Sequence, residues 1–269
     1  MNTYMDRQEI RNHIVRYFRQ QLSQMTTPAR HPQIQMGHLN GLFEEVLKGV
    51  SHLEREEVFS IAREIVHELM NMGALYPGQR GQIYGSDFYP WLTITEYGKE
   101  LFASEDWLPY DPEGYLKAVK ANVPEIDDVT LAYVGESISA FNRRNLLSAT
   151  LTLGVASENL MLLLIEAYVG WMKDAKRKAA LQKKIADRWI YTQYKEFKQE
   201  FSRDVKALPK ELQGDWETYL DGIFNFIRMN RNSAGHPTGK ELSAKVVYAN
   251  LQIFADYTRY IFDLIKFFS

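Results

Sequence analysis

The residues best equipped for chemistry fall in one short run, Arg231-Asn232-Ser233-Ala234-Gly235-His236-Pro237. Arginine keeps its charge throughout the physiological range, and its planar fork can hold two phosphate oxygens at once. Histidine titrates near neutrality, at about 6.5 when unperturbed, so His236 can give or take a proton. Cleaving RNA through its own 2′-hydroxyl needs these abilities together. It asks for a base for the 2′-proton, an acid for the departing 5′-oxygen and positive charge on the pentavalent phosphate. Asn232 can orient His236 or bond the phosphate, and Ser233 is a lesser contributor. Gly235 and Pro237 end a helix, where side chains can converge on a groove.

The same Arg/His pattern recurs from Arg7 to His13. That copy lies inside a predicted helix, where a six-residue step puts the two side chains on opposite flanks. His236 is the only histidine of the second half; His13, His31, His38, His52 and His67 all precede it. One imidazole cannot be base and acid in the same step. Either water or Arg231 assists the second proton transfer, or a second copy of the chain brings another Arg231 and His236 to the groove.

The elements that must position these residues read as two different halves. Ile10, Ile14, Val15, Phe18 and Leu22 recur at helical spacing over 8–25, and a polar break with Pro28 and Pro32 comes after them. A short helix at 42–50 and a longer one at 54–72, ended by Gly73, come next. Then the pattern changes to a short strand at 74–76, a turn-rich 77–82 and a returning strand at 89–94. Thr95 can cap a helix to Phe102, with Gly98 as its weak point. The connector 104–128 carries Pro109, Pro112 and Pro124, with a short helix at 113–121 and Asp127 or Asp128 as the next cap. From 129 onward everything reads as helix: 129–145, 146–172, a long charged helix 175–205, then 215–234 and 241–268. The fold class is mainly α: an N-terminal module at 1–103, the connector at 104–128 and a helical bundle at 129–269.

Composition sets the outer limits. The chain has 269 residues, a net charge of −2 and no cysteine, which excludes disulfides and thiolate metal sites. Residues 1–125 hold 12 Lys and Arg against 17 Asp and Glu, whereas residues 126–269 hold 20 against 17. Nucleic-acid contact must therefore be local. The basic patch from Lys173 to Arg188, with Lys176, Arg177, Lys183 and Lys184 at its centre, is the candidate. The most apolar run, Leu160 to Trp171, carries Glu166 and reads as a buried core helix rather than a membrane span. No signal-peptide core begins the chain, so a cytoplasmic setting is expected. Glu158 sits beyond Gly154, Ala156 and Ser157 on an otherwise apolar helix, where a carboxylate needs a partner. Arg231 or Arg228 would serve, fixing the site arginine; Asn159 and Glu166 are weaker candidates on the same helix. No carboxylate–histidine spacing, phosphate loop or nucleotide fingerprint is present, so neither metal nor cofactor is expected.

The bundle at 129–269 with Arg231, Asn232 and His236 resembles the HEPN superfamily. Its ribonuclease members carry Arg-x4-6-His, often with Asn after the Arg, between the last two core helices. The stretch Leu92-Thr93-Ile94-Thr95-Glu96-Tyr97-Gly98 resembles the ending of many winged-helix domains, with Arg80 and Tyr84 on the wing. A winged-helix leader before such a bundle looks like proteins of bacterial abortive-infection and other phage-defence systems. The resemblance implies a metal-independent endoribonuclease, a homodimer with a composite site, and products with 2′,3′-cyclic phosphate and 5′-hydroxyl ends. It also implies a toxin-like effector held silent by an inhibitory or trigger partner. The rival expectations are a non-catalytic module contacting DNA or a protein through the wing, and a regulator whose helical half only dimerises; the acidic first half argues against the regulator.

Overall fold

The computed structural model describes residues 5–23, 33–35, 41–44, 46–78, 91–103, 111–214, 216–235 and 242–269. The chain is mainly α-helical and divides into two compact units, Met1–Glu113 and Gly114–Ser269.

In the first unit, α1 (Arg7–Ser23) buries Ile10, Ile14, Val15 and Phe18, the stripe expected from their spacing. Helix α2 (His52–Asn71) begins with a capping box. The Ser51 hydroxyl accepts the Glu54 N–H at 3.3 Å, and the Glu54 carboxylate accepts the Ser51 N–H at 3.1 Å. It ends where Gly73 turns left-handed, at φ +77. There the Gly73 and Ala74 N–H groups reach back to the Met70 and Leu69 carbonyls at 2.8 and 2.9 Å, satisfying groups a helix end leaves orphaned.

Three short strands take the order β1-β3-β2: β1 (Gln33–Gln35), β2 (Leu75–Pro77) and β3 (Trp91–Ile94), all antiparallel. Strand β1 falls in what the sequence showed only as a polar break. Two glutamines beside Pro32 carry no strand signal. The segment becomes a strand because β3 offers a free edge, with Ile34 opposite Leu92.

Helix α3 (Glu96–Ala103) is capped by Thr95, whose hydroxyl accepts the Gly98 N–H at 2.9 Å and donates to the Gly73 carbonyl at 2.7 Å. Gly98 is no weak point. A Cβ there would overlap the Ala74 carbonyl oxygen, so the glycine lets α3 press onto the turn after α2. Phe18 stacks on Phe102 at 4.8 Å and closes the core between α1 and α3.

The second unit is a helical bundle. Helix α4 (Pro112–Asn122) is tied to the last helix by Tyr115, whose hydroxyl donates to the Leu251 carbonyl at 2.6 Å. Residues 114–128, a connector by sequence, therefore belong to the bundle. Helix α5 (Asp128–Asn142) is capped by Asp127, and α6 (Leu146–Trp171) is the central element. By length and composition α6 could cross a membrane, yet here it is packed against α5 and the later helices. After it come α7 (Ala175–Ile185), α8 (Ile190–Phe201), the short α9 (Lys210–Gln213), a π-helical stretch (Thr218–Ile223) running into α10 (Phe224–Gly235), and α11 (Ala244–Phe268).

The single helix expected over 175–205 is broken at Ala186–Trp189, where Asp187 takes φ +53. No Gly or Pro marks the place. The break lets α8 fold back beside α7 and bury Leu181, Tyr194, Phe197 and Phe201. Burying three aromatics gains several kcal/mol, at ~1.5–3 kcal/mol for each large side chain, which exceeds the cost of one bent turn. Tyr168 of α6 anchors this corner, edge-on to Phe197 at 5.3 Å and donating to Asp204 at 2.7 Å.

Gly98→Ala is expected to lower the stability of the first unit by about 1–3 kcal/mol, because the added methyl forces α3 off the α2 turn. Chemical denaturation monitored by circular dichroism reads it; an unchanged midpoint would show that α3 moves freely.

Candidate functional site

Leu220 of the π-helical stretch and Phe224 and Ile227 of α10 are buried at helical spacing, and the next position on that stripe is Arg231. An arginine thus occupies a place where the pattern asks for an apolar residue, facing α6. Room for it comes from Gly154: a Cβ there would come within 2.6 Å of the Arg231 Cβ and would also overlap Cγ. One turn along α6, Glu158 meets the head of the same side chain, with Oε2 3.5 Å from the guanidinium. Gly154 and Glu158 stand four apart, hence on one face of α6. The glycine admits the stem and the carboxylate holds the charge.

The pair is part-buried, with 37% of the Arg231 side chain and 16% of Glu158 exposed. The second arm of Arg231 donates to the Asn232 side-chain oxygen at 3.1 Å. Burial raises the Glu158 pKa above the ordinary carboxylate value, against the pull of Arg231 and Arg228. Arg228, one turn before Arg231, lies over the Tyr191 ring with its guanidinium carbon 4.0 Å from the centroid. Its Nε is buried and has no hydrogen-bond acceptor among the described residues. The site therefore combines two cations on α10, Arg228 and Arg231, with one part-buried carboxylate, Glu158, on α6.

Asn232 and Ser233 lie in the last two turns of α10, both half-buried. Helix α10 runs to Gly235, and His236 lies outside the described residues. Arg80 and Tyr84 of the expected wing lie outside them too. Of the other α6 candidates, Asn159 donates to Asp127 at 2.9 Å and Thr130 at 3.0 Å, fastening α6 to the start of α5. Glu166 is exposed, eight residues beyond Glu158 on α6. The Arg7/His13 copy of the motif does not come together as one. Arg7 is ion-paired to Glu64 at 2.7 Å and Glu68 at 2.5 Å, while His13 packs edge-on to Phe43.

The basic patch is thinner than its sequence suggests. Arg177 donates to Glu200 at 2.5 Å and Asp204 at 2.8 Å, pinning α7 to the end of α8. Burial acts to raise the pKa of Asp204, but the bonds from Arg177 and Tyr168 hold it below the ordinary value. Lys184 pairs with Glu196 at 2.8 Å. Lys176 and Lys183 stay exposed, with no ion-pair partner among the described residues.

The Arg228–Tyr191 stack is not legible in the sequence, because it joins two helices whose relation depends on the bend at Ala186–Trp189. The one signal for it is Arg228 itself, spaced three residues before Arg231 on one helix face. Among the described residues no group of three His, Asp or Glu is arranged to hold a metal. No protein-family model, curated protein or solved structure matches this chain, so the geometry of the site carries the functional reading.

Two substitutions test this geometry. A helix-interior Gly→Ala ordinarily gains about 0.5–1 kcal/mol, as expected at Gly135 of α5, where a Cβ meets only the Leu116 side chain at an ordinary 3.6 Å. Gly154→Ala is expected to do the opposite and lower the unfolding midpoint, because Arg231 must be displaced. Glu158→Gln removes a carboxyl whose folded pKa is raised. Such a group favours folding below its unfolded pKa and loses that contribution as pH rises through the folded value. Melting temperatures of wild type and Glu158→Gln should thus shift in favour of the variant as pH rises from acidic to neutral. A constant difference would mean that Glu158 is not desolvated in the folded protein.

Proposed function

We propose that this chain is a metal-independent endoribonuclease of HEPN type, acting as a homodimer in the cytosol. The observation that carries the reading is Arg231, set in an apolar helix stripe, seated over Gly154 and held by Glu158, five residues before His236. A cation fixed in this way needs little reordering when a phosphate arrives, which is what charge stabilisation of a pentavalent phosphate asks for. In the reaction, an imidazole takes the 2′-hydroxyl proton as that oxygen attacks phosphorus. The P–O5′ bond breaks, and the 5′-oxygen takes up a proton. The products are a 2′,3′-cyclic phosphate and a 5′-hydroxyl. Two chains would supply two copies of His236, one as base and one as acid. A destructive activity of this kind suits an effector of phage defence, restrained by a partner until triggered.

The first unit is read as a winged-helix module. Its support is the element order α1-β1-α2-β2-β3-α3 with β1 paired to β3. It would contact DNA or a partner through Arg80 and Tyr84. A second reading, in which the whole chain is a binding module, is favoured by one observation: Arg231 is already neutralised by Glu158, as a structural ion pair would be.

Cleavage of total RNA and of a tRNA pool by the purified full-length protein in EDTA separates the two. Arg231→Ala and His236→Ala are each expected to lower the rate by about 10²–10⁴-fold, the usual worth of a proton-transfer or charge-stabilising group. End-group analysis should show cyclic phosphates. Cleavage by His236→Ala equal to wild type overturns the ribonuclease reading. If wild type is silent in vitro, growth arrest on expression that His236→Ala does not relieve overturns it too.

A further inference from the structure

Trp189 sits at the corner between α7 and α8 and is 87% exposed. Exposed tryptophans at loose chain ends need no explanation, but the backbone that carries this one is held. Its carbonyl accepts the Thr192 N–H at 2.8 Å. The neighbouring Arg188 carbonyl accepts from Gln193 at 2.7 Å, and Lys184–Glu196 clamps the two helices at 2.8 Å. Two residues on, Tyr191 is 41% exposed. Its ring carries Arg228 at 4.0 Å and Lys195 at 5.9 Å. The aromatic surface is thus flanked by cations, and Arg228, one turn before Arg231 on α10, links the corner to the Arg231 site.

The charge around the corner is one-sided. Between Lys173 and Lys195 the chain carries eight Lys and Arg against two carboxylates, Asp174 and Asp187, and six of the eight remain once Arg177 is paired with Glu200 and Asp204 and Lys184 with Glu196. Asp174 is occupied as the cap of α7, accepting the Lys176 N–H at 2.9 Å. An apolar partner helix would not need this charge, and an acidic peptide would not need two exposed rings. A single-stranded nucleic acid uses both, because its bases stack on aromatic faces while its phosphates track the cations.

We infer that Trp189 and Tyr191, with Arg228, Lys195, Arg188 and Lys183 around them, form a base-stacking platform for single-stranded RNA beside Arg231. Trp189 takes one unpaired base on its face, and the cations guide the backbone toward the Arg231 phosphate position. This rests on the ribonuclease reading for its substrate but on a separate set of residues. It makes unpaired RNA, rather than duplex, the ligand of the bundle.

The test is fluorescence anisotropy with a labelled 2′-O-methyl oligouridylate and the full-length protein. That probe has no free 2′-hydroxyl, so binding is read without cleavage. Trp189→Ala is expected to weaken binding roughly tenfold or more, the worth of one lost stack. Trp189→Phe should restore most of it, and thermal stability should not change, because the side chain is exposed. The salt dependence should persist in Trp189→Ala, since the cations remain. Equal affinity of Trp189→Ala and wild type overturns the platform. So does wild-type protein that binds no oligonucleotide. The two readings fail separately. Trp189-dependent binding without any His236-dependent cleavage leaves the platform and removes the nuclease. Cleavage that needs His236 while binding ignores Trp189 does the reverse.

Discussion

The close approach of α10 to α6 at Gly154 is the constraint on which the site rests. A glycine inside a long helix costs conformational entropy and gives nothing to the core. Here it makes room for an arginine stem where Leu220, Phe224 and Ile227 would lead one to expect another apolar side chain. Once the stem is seated, its charge must be answered within reach of α6, and Glu158 answers it at 3.5 Å. The raised pKa of Glu158 records the desolvation this imposes. Packing and electrostatics are therefore one arrangement at this point of the bundle.

The same economy is visible at the α7–α8 corner. Bending the chain at Ala186–Trp189 buries the aromatic cluster around Tyr168 and draws Arg177 inward to Glu200 and Asp204. It leaves Trp189 and Tyr191 outside, with Arg228 lying on Tyr191. Cations that look alike in a linear run are thereby divided into structural pins and solvent-facing charges. Arg177 belongs to the first kind, and Lys176 and Lys183 to the second.

A π-helical stretch leads into α10, and it carries its own ties. Asp221 accepts from Tyr194 and pairs with Lys198, while Tyr219 stacks on Tyr260 at 4.2 Å. A π turn inserts a residue into the helical register and rotates the downstream turns of the helix. Which face Arg228 and Arg231 present to α6 thus depends on contacts made before α10 begins.

Much of the architecture was legible in the sequence. The apolar period of α1, the Asp127 and Thr95 caps and the Gly73 stop are all set within a few residues. Such features arise from backbone sterics and from hydrogen bonds within a single turn, so neighbours in the chain suffice to determine them. The run Arg231-Asn232 and the carboxylate at Glu158 were likewise readable as types and positions. What only the tertiary structure decided joins residues far apart in the chain. It made Gln33–Gln35 a strand because β3 offered an edge, and made Gly98 and Gly154 obligatory because a backbone and an arginine lean on them. It broke a helix without Gly or Pro because three aromatics had a core to enter, and it divided one basic run between ion pairs and open surface. Close packing and desolvation act between surfaces, and no local pattern specifies which surfaces will meet.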